Sequence, residues 1–112
     1  MSEELQKVQI TIEEAQAKIA MAREVQELIK LPLFDKVITK GYLGDDAVRL
    51  AMTLKPTTDG NSTAFNMIQA KSIFSRYLGE ILEEGSHAVA TINENGDLRD
   101  QLLAEANEPV EG

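Results

Sequence analysis

The chain has 112 residues, enough for one domain, and its 43% apolar content is that of a folded protein rather than a disordered one. It carries 19 acidic and 11 basic side chains, and this net charge of −8 argues against direct binding to nucleic acid phosphates. It contains no cysteine, which excludes disulfides and thiolate metal sites, and no apolar run approaches the roughly 20 residues that cross a bilayer. We therefore expect a soluble cytoplasmic protein without a membrane partner.

The first segment has the apolar spacing of a helix that pairs with one other helix. Ser2 is a typical N-cap. The apolar positions that follow alternate spacings of three and four residues: Leu5, Val8, Ile12, Ala15, Ile19 and Ala22. This is the pattern of a coiled-coil seam, and its next places fall at Gln26 and Ile29. A second apolar stripe late in the segment consists of Met21, Val25 and Leu28. Pro32 is predicted to end the helix.

The segment after this helix is predicted to form a corner of two short helices. The first spans Leu33–Lys40, with Gly41 as its C-terminal cap. The second begins at Gly44 or Asp45 and is stopped by Pro56. The side chains expected to face the core of this corner are Phe34, Val37, Ile38, Ala47, Val48, Leu50, Ala51 and Leu54.

A second long helix is predicted from Thr63 to about Asn93. It follows a polar loop that contains the turn signal Asp59-Gly60, and Asn61 or Ser62 can cap it. Its apolar stripe consists of Met67, Ala70, Phe74, Leu78, Ile81, Gly85, Ala88 and Ile92. The residues that widen this stripe are Phe65, Ile68, Tyr77, Leu82 and Val89.

Gly85 leaves two alternatives for this helix. A glycine can end a helix, with Ser86 then capping a new one. We favour a single continuous helix because Gly85 lies on the apolar stripe, which continues beyond it. Glycine inside a helix costs about 1 kcal/mol relative to alanine, so close packing against another helix is the expected compensation.

The predicted fold class is all-α: two long helices in an antiparallel hairpin, joined by the corner. One helical domain covers residues 1–96, and Asn95-Gly96 is expected to close its last helix. Residues 97–112 carry five acidic residues and one arginine, which is half of the net charge of the chain. They are predicted to be a flexible acidic tail.

A two-helix hairpin leaves its apolar stripes partly uncovered, so we expect self-association or docking on a larger assembly. The alternative is a closed monomeric bundle in which the corner helices cover both stripes. The residues predicted to form a protein interface are Leu5, Val8, Ile12, Ile19, Phe74, Leu78, Ile81, Gly85, Ala88 and Ile92.

Residues that could carry chemistry do not form a known catalytic or metal-binding pattern. His87 is the only histidine, and acidic pairs such as Glu83-Glu84 lack the spacing of a calcium loop. Arg49 is expected to pair with an acidic residue one turn away, Asp45 or Asp46. No nucleophile, base and orienting group can be combined. We therefore predict no enzyme activity and no metal, cofactor or small-molecule ligand.

A series of packing and turn residues runs through the corner. It comprises Pro32, Phe34, Val37, Ile38, Gly41, Tyr42, Leu43, Asp46, Ala47, Arg49 and Leu50. Together with the tract 74–88, it resembles small helical proteins of tailed bacteriophages, and the likeness covers about residues 5–92. Genes of such proteins tend to lie among virion-assembly genes, so the resemblance implies a structural or assembly role in the host cytoplasm or in the virion. It brings no established functional residues.

We therefore predict a non-enzymatic phage structural or assembly protein. It would act by helix-mediated self-association, or by docking on another virion or assembly protein. The alternative is a small acidic phage-encoded inhibitor, a decoy for a nucleic-acid-binding or defence factor of the host. A decoy presents carboxylates in a fixed array, whereas many here are interspersed with lysine and arginine. A third hypothesis, a membrane-surface helix, is weakened because the polar faces are not basic.

Overall fold

The computed structural model describes residues 2–57 and 59–106, and every regular element in these residues is helical. The elements are α1 (Glu3–Lys30), α2 (Pro32–Phe34), a π-helix (Asp35–Asp45), α3 (Asp46–Met52) and α4 (Ser62–Ala106). The predicted all-α fold class is confirmed. Internal contacts divide the chain into unit 1, which comprises Met1–Arg23 with Glu83–Gly112, and unit 2, which comprises Glu24–Leu82.

Both ends of α1 are set by local chemistry. The backbone N–H of Leu5 donates a hydrogen bond to the Ser2 hydroxyl oxygen at 3.1 Å, which satisfies a donor that has no partner inside the helix. At the other end α1 stops at Lys30, two residues before Pro32, whose ring prevents the preceding residue from staying helical. Both predicted ends are confirmed.

In unit 1, α1 and the last part of α4 form an antiparallel hairpin. Leu5, near the start of α1, shares a cleft with Leu102 and Leu103 near the end of α4. Ala22, later in α1, lies against Gly85, earlier in α4. The side chains buried in this unit, each at most 7% exposed, are Leu5, Val8, Ile12, Ala15, Ala22 and Ala88. The predicted hairpin is confirmed in this unit.

Gly85 lies inside α4, so the predicted continuous helix is confirmed. A β-carbon built on Gly85 would lie closer to the Ala22 β-carbon than two unbonded carbons approach each other. Its next neighbour would be the Lys18 carbonyl oxygen, 3.6 Å away. The expected compensation is therefore present, because the missing side chain lets α1 and α4 approach closely.

The buried stripe of α1 changes register after Ala22. Val25 is 5% exposed, whereas Gln26, the predicted seam position, is exposed. Two consecutive spacings of three residues thus separate Ile19, Ala22 and Val25. Such an irregularity in a heptad repeat locally overwinds a coiled coil. The prediction for Gln26 is wrong because burial of Val25 needs no hydrogen-bond partner, whereas a buried amide does.

At the start of α4, the residues on the buried stripe are not the predicted ones. Met67 and Ala70 were expected on this stripe, but both are exposed. Ile68 is half-buried and Lys71 is only 5% exposed, so these two residues take the inner positions. From Phe74 onward the predicted stripe is confirmed. Its members there, all buried or half-buried, are Phe74, Leu78, Ile81, Gly85, Ala88 and Ile92.

Helix α4 continues to Ala106, so the helix end predicted at Asn95-Gly96 is wrong. The Asn95 side chain donates a hydrogen bond to the Thr91 carbonyl oxygen at 2.8 Å, and the half-buried face goes on through Arg99 and Leu102. This spacing preserves the seam, which overrides the local turn signal. Residues 97–106 of the predicted tail are therefore helical, and residues 107–112 lie outside the described part.

The corner is one continuous helical segment from α2 through α3, so the predicted break at Gly41 is wrong. The Asp46 N–H donates to the Gly41 carbonyl oxygen, five residues back, as in a π-helix. Gly41 does not have the positive φ of a helix cap. A β-carbon there would lie 3.1 Å from the Lys36 carbonyl oxygen. The ion pair between Asp35 and Lys40, at 3.0 Å, also spans five residues.

Only some of the expected corner side chains are covered. Leu50 is 4% exposed, whereas Val48, two positions earlier, is 59% exposed. Residues two apart on an α-helix point in nearly opposite directions, so a single contact face of α3 cannot cover both. The expected core residues that are half-buried are Phe34, Ile38, Ala47 and Leu54. Those that are exposed, against prediction, are Val37, Val48 and Ala51.

Helix α3 ends at Met52, before Pro56, because Thr53 closes it. The Thr53 hydroxyl and its backbone N–H both donate to the Leu50 carbonyl oxygen, at 2.6 and 3.1 Å. The Thr53 hydroxyl thus bonds to the Leu50 carbonyl oxygen, which would accept a backbone N–H if the helix continued for another turn.

Asn61 organises the loop before α4. Its side-chain oxygen accepts a hydrogen bond from the Lys55 N–H, and its amide nitrogen donates to the carbonyl oxygens of Lys55 and Thr57. The residue is 5% exposed. Gly60 precedes it with φ +81°, a conformation that favours glycine. Asn61 therefore holds the loop through its side chain, while its carbonyl oxygen accepts the N–H of Phe65 in the first turn of α4.

Two isoleucines of α1 test the assignment of the hairpin core. Ile12 is 4% exposed and Ile10 is 54% exposed. We expect Ile12→Ala to lower the free energy of unfolding by about 2–4 kcal/mol, because it removes buried methyl groups and leaves a cavity. Ile10→Ala should change it by less than about 0.5 kcal/mol. Urea unfolding followed by circular dichroism measures both, and equal effects would contradict the assignment.

Two glycines of α4 test the close approach of the helices. We expect Gly85→Ala to destabilise the fold by about 1–3 kcal/mol, since the added methyl group overlaps Ala22. Gly79→Ala should instead stabilise it by up to about 1 kcal/mol, because a β-carbon there meets no atom within 4 Å. Thermal unfolding of both variants measures the difference. Ala22→Gly should restore part of the stability of Gly85→Ala, and a Gly85→Ala variant more stable than the original chain would refute the contact.

Candidate interaction surface

Most of the predicted interface residues are covered within the chain. The four with exposure of 7% or less are Leu5, Val8, Ile12 and Ala88. Gly85 is also buried. The half-buried ones are Ile19, Phe74, Leu78, Ile81 and Ile92. These residues form the inner faces of the helices, and their contact with a second molecule stays a prediction.

In unit 2, a buried lysine connects α4 to the corner. The Lys71 side chain is 6% exposed, and its ammonium nitrogen lies 2.6 Å from a carboxylate oxygen of Asp46. The same nitrogen lies 3.5 Å from the centre of the Tyr42 ring, within the range of a cation–π interaction. Tyr42 belongs to the π-helix and Asp46 opens α3. One charge therefore holds three elements of this unit together.

Two further side chains complete this cluster. The Arg49 guanidinium donates two hydrogen bonds to one Asp46 carboxylate oxygen, at 2.9 and 2.8 Å, so the predicted pairing is confirmed. The Phe74 ring packs edge-on against Tyr42, with centroids 6.0 Å apart and planes at 77°. Such edge-to-face pairs are favourable. The cluster comprises Tyr42, Asp46, Arg49, Lys71 and Phe74.

The two cations change the acidity of Asp46. The Lys71 ammonium, and after it the Arg49 guanidinium, hydrogen-bond to the Asp46 carboxylate and lower its pKa below the ordinary value. The carboxylate is partly exposed, so water and salt screen part of this interaction. The ionised form is nevertheless favoured at neutral pH in the folded chain.

Lys71 was not among the residues predicted to lie on the buried stripe of α4. The signal was present, because Lys71 lies three residues after Ile68 and three before Phe74, at the spacing of a buried helical face. The predicted stripe used Met67 and Ala70 instead, which are apolar. A charged residue at a core position is rare unless it is paired, and the pairing partner here comes from a distant part of the sequence.

His87 lines a polar groove of about 170 Å³ in unit 1. The other lining residues are Thr11, Glu14, Ala15, Lys18, Glu84, Ala88 and Thr91. The Thr91 hydroxyl donates to the His87 carbonyl oxygen at 3.1 Å. Among the residues that the structure describes, no three of the histidine and acidic side chains are placed to hold a metal ion together.

The exposed large apolar side chains concentrate in unit 2. Among the described residues, ten of them lie in unit 2 and five in unit 1. Those of unit 2 are Leu28, Leu31, Leu33, Val37, Val48, Met52, Phe65, Met67, Ile73 and Tyr77. Single exposed apolar residues are common, but a concentration of them indicates an interaction surface.

The charges are distributed in the opposite way. The sequence of unit 2 contains seven acidic and seven basic residues, so it is neutral. The sequence of unit 1 contains twelve acidic and four basic residues, so it carries the whole net charge of −8. Charge repels copies of the chain and other acidic surfaces. Unit 2 is therefore the part best suited to an apolar protein contact.

The pH dependence of stability tests the Lys71 cluster. Because the folded chain lowers the pKa of Asp46, its carboxylate contributes stability above the unfolded pKa of about 3.9, and this contribution is lost as the pH falls through the lower, folded value. We expect Asp46→Asn to be less stable than the original chain at neutral pH. The difference should shrink in acid.

Urea unfolding between neutral and acidic pH makes this measurement. Asp45→Asn is the matched control, since Asp45 is the exposed neighbour in the sequence. If the stability of Asp46→Asn followed pH in the same way as that of the original chain, the proposed effect of Lys71 and Arg49 would be refuted.

Comparisons with known proteins give no identification. The chain matches no family model, no curated protein and no solved structure. Among the described residues, no helix has the length and apolar character needed to span a membrane.

Proposed function

We propose that the chain is a non-enzymatic structural or assembly protein of a tailed bacteriophage. It acts through protein contact, either by self-association or by docking on a larger assembly. The contact surface is the exposed apolar side chains of unit 2. The phage context rests on the resemblance of the corner and of tract 74–88 to small phage helical proteins.

The observation that carries the proposal is the opposite distribution of apolar and charged residues. Unit 2 has most of the exposed apolar side chains and no net charge, whereas unit 1 has the entire excess of carboxylates. Burial of apolar surface stabilises association by roughly 25 cal/mol per Å², and a neutral unit adds no net repulsion. Unit 1 supplies the charge that limits non-specific contacts.

Helix α3 illustrates how unit 2 would meet a partner. Leu50 points inward and is 4% exposed, while Val48 and Met52, one turn apart on the other side, are 59% and 82% exposed. The inner side is held by the Asp46 contact with Lys71. The two outward side chains are thus presented by a helix whose orientation within the unit is fixed, which reduces the entropy lost on binding.

The second candidate is the acidic inhibitor, and the length of α4 favours it. Glu83, Glu94 and Glu105 are exposed and recur every eleven residues, which places them on one side of the helix at intervals of about 16 Å. The decoy hypothesis needs such a fixed array of carboxylates. A basic partner bound in this way would be released by salt, whereas a partner bound to the apolar residues of unit 2 would not.

Substitution of the outward face of α3 tests the leading proposal. We expect Val48→Lys with Met52→Lys to prevent assembly during infection, because the two charges would be buried in the contact. Both residues are exposed, so stability should change by less than about 1 kcal/mol. Ile10→Lys in unit 1 is the matched control.

The measurement is made in a phage that encodes the variants. Incomplete particles should accumulate in cells infected by the phage that encodes the double variant. Mass spectrometry of particles made with the original chain should detect that chain or the protein to which it binds. Normal particle yields with a folded double variant would refute the proposed surface. A growth defect confined to hosts that carry one particular defence factor would favour the inhibitor instead.

A further inference from the structure

A cleft lies at the end of the unit 1 hairpin where α1 begins and α4 ends. Its volume is about 450 Å³, which gives room for a large side chain of another protein. The apolar side chains that line it are Leu5, Leu102, Leu103 and Ala106. Two acidic residues, Glu4 and Glu105, line it as well. The cleft thus combines an apolar lining with negative charge.

Helix geometry explains why part of this lining is accessible. Leu5 and Leu102 lie on the stripes along which α1 and α4 meet, and Leu5 is only 7% exposed. Leu103 follows Leu102 directly, and consecutive residues of an α-helix point about 100° apart. Leu103 therefore points away from the contact with α1 and is 42% exposed. Leu5 is covered by the chain itself, whereas Leu103 can contact another molecule.

The negative charge of the cleft is not balanced by nearby cations. Glu4 and Glu105 are both exposed, and within residues 2–57 and 59–106 neither belongs to an ion pair. Arg99, about one turn before Leu102, instead lies 3.8 Å from the carboxylate of Asp100. The sequence of unit 1 carries the whole net charge of −8. A cation that approaches the cleft therefore meets a negative potential.

We propose that this cleft binds a basic amphipathic segment of a partner protein. A large apolar side chain of the segment packs against Leu5, Leu102 and Leu103. Lysine or arginine side chains beside it pair with Glu4 and Glu105. The proposed function uses the apolar surface of unit 2, so this inference goes beyond it and assigns to unit 1 a second docking site with different chemistry.

The apolar lining and the charge have separate roles in selecting this segment. Ion pairs at an exposed surface contribute little to affinity, so the carboxylates alone would not fix a partner at this place. Burial of the apolar side chain supplies affinity, and the charges attract basic partners and reject acidic ones. An apolar segment without cations would find more exposed apolar side chains on unit 2.

The charge also argues against other occupants of the cleft. Unit 1 repels the phosphates of nucleic acids and of anionic lipids. A second copy of the chain would have to present unit 2, because its own unit 1 is equally acidic. The sequence of unit 2 contains equal numbers of acidic and basic residues, so it has no excess of cations to offer. The charges therefore favour a foreign basic segment.

Nuclear magnetic resonance of the full chain can locate the site. The probe is a synthetic helical peptide with leucines on one face and lysines on the other, here called the leucine peptide. We expect it to shift the amide signals of Leu5, Leu102 and Leu103, and its affinity should fall with added salt. A peptide with alanine in place of each leucine has the same charge and should bind about tenfold more weakly or worse. Absence of these shifts, or equal binding of the two peptides, would overturn the proposal.

Two pairs of substitutions in α4 compare the cleft with the rest of the acidic surface. We expect Leu103→Lys to weaken binding of the leucine peptide about tenfold or more, because it places a like charge in the cleft. Leu98→Lys changes the net charge equally, at a leucine that is 43% exposed, and should weaken binding less than about threefold. Glu105→Lys should likewise cause a larger loss than Glu94→Lys. Equal losses within either pair would contradict binding in the cleft.

Two further measurements complete the test, and circular dichroism establishes that each variant is folded. In sedimentation without peptide, we expect Leu103→Lys to have the same mass as the original chain. A lower mass for Leu103→Lys would assign the cleft to a second copy and overturn the proposal. Val48→Lys with Met52→Lys lies in unit 2 and should bind the leucine peptide with nearly the original affinity. The proposed function and this inference can therefore fail independently.

Discussion

Each long helix of this chain can bury only one narrow stripe, and the rest of the structure depends on that limit. The buried residues of the unit 1 hairpin are aliphatic and mostly small or medium in size, and even the best-covered side chains among the described residues keep a trace of exposure. Packing therefore gains most where the backbones come closest, at Gly85 against Ala22. Dispersion attraction between atoms strengthens steeply at short range. A glycine lets the two helices approach closely, so it adds more to the packing here than a residue with a larger side chain would.

Unit 2 differs from unit 1 because a charged residue, Lys71, occupies a core position. An ammonium group out of water requires partners in defined directions, and Lys71 finds them in Tyr42 and Asp46, on two other elements of the unit. These contacts tie the rotation of α4 to the position of the corner. The same rotation turns Met67, Ala70 and Ile73 toward solvent.

The elements of the fold could be predicted where local chemistry decides the outcome, and less so where packing decides it. Ser2 and Pro32 act on their immediate neighbours, and the seam from Leu5 to Ala22 repeats often enough to be unambiguous. Gly41 and the Asn95-Gly96 pair are also local signals, but the contacts of the surrounding helix override them. The surface was predicted least well. An apolar pattern identifies the faces that avoid water, but it does not tell which of two such faces the chain covers by itself.

The loop before α4 also bears on how this chain can change over evolutionary time. Connecting loops usually accept insertions and are the first sites of proteolytic cleavage, since their backbone is free to adapt. Here one amide side chain, that of Asn61, bonds to three backbone groups of Lys55 and Thr57. A lengthened loop would release those groups and leave a buried amide without partners. Variation in length is thus disfavoured between Lys55 and Asn61, and a peptide tag or a fused domain would be better tolerated at another site.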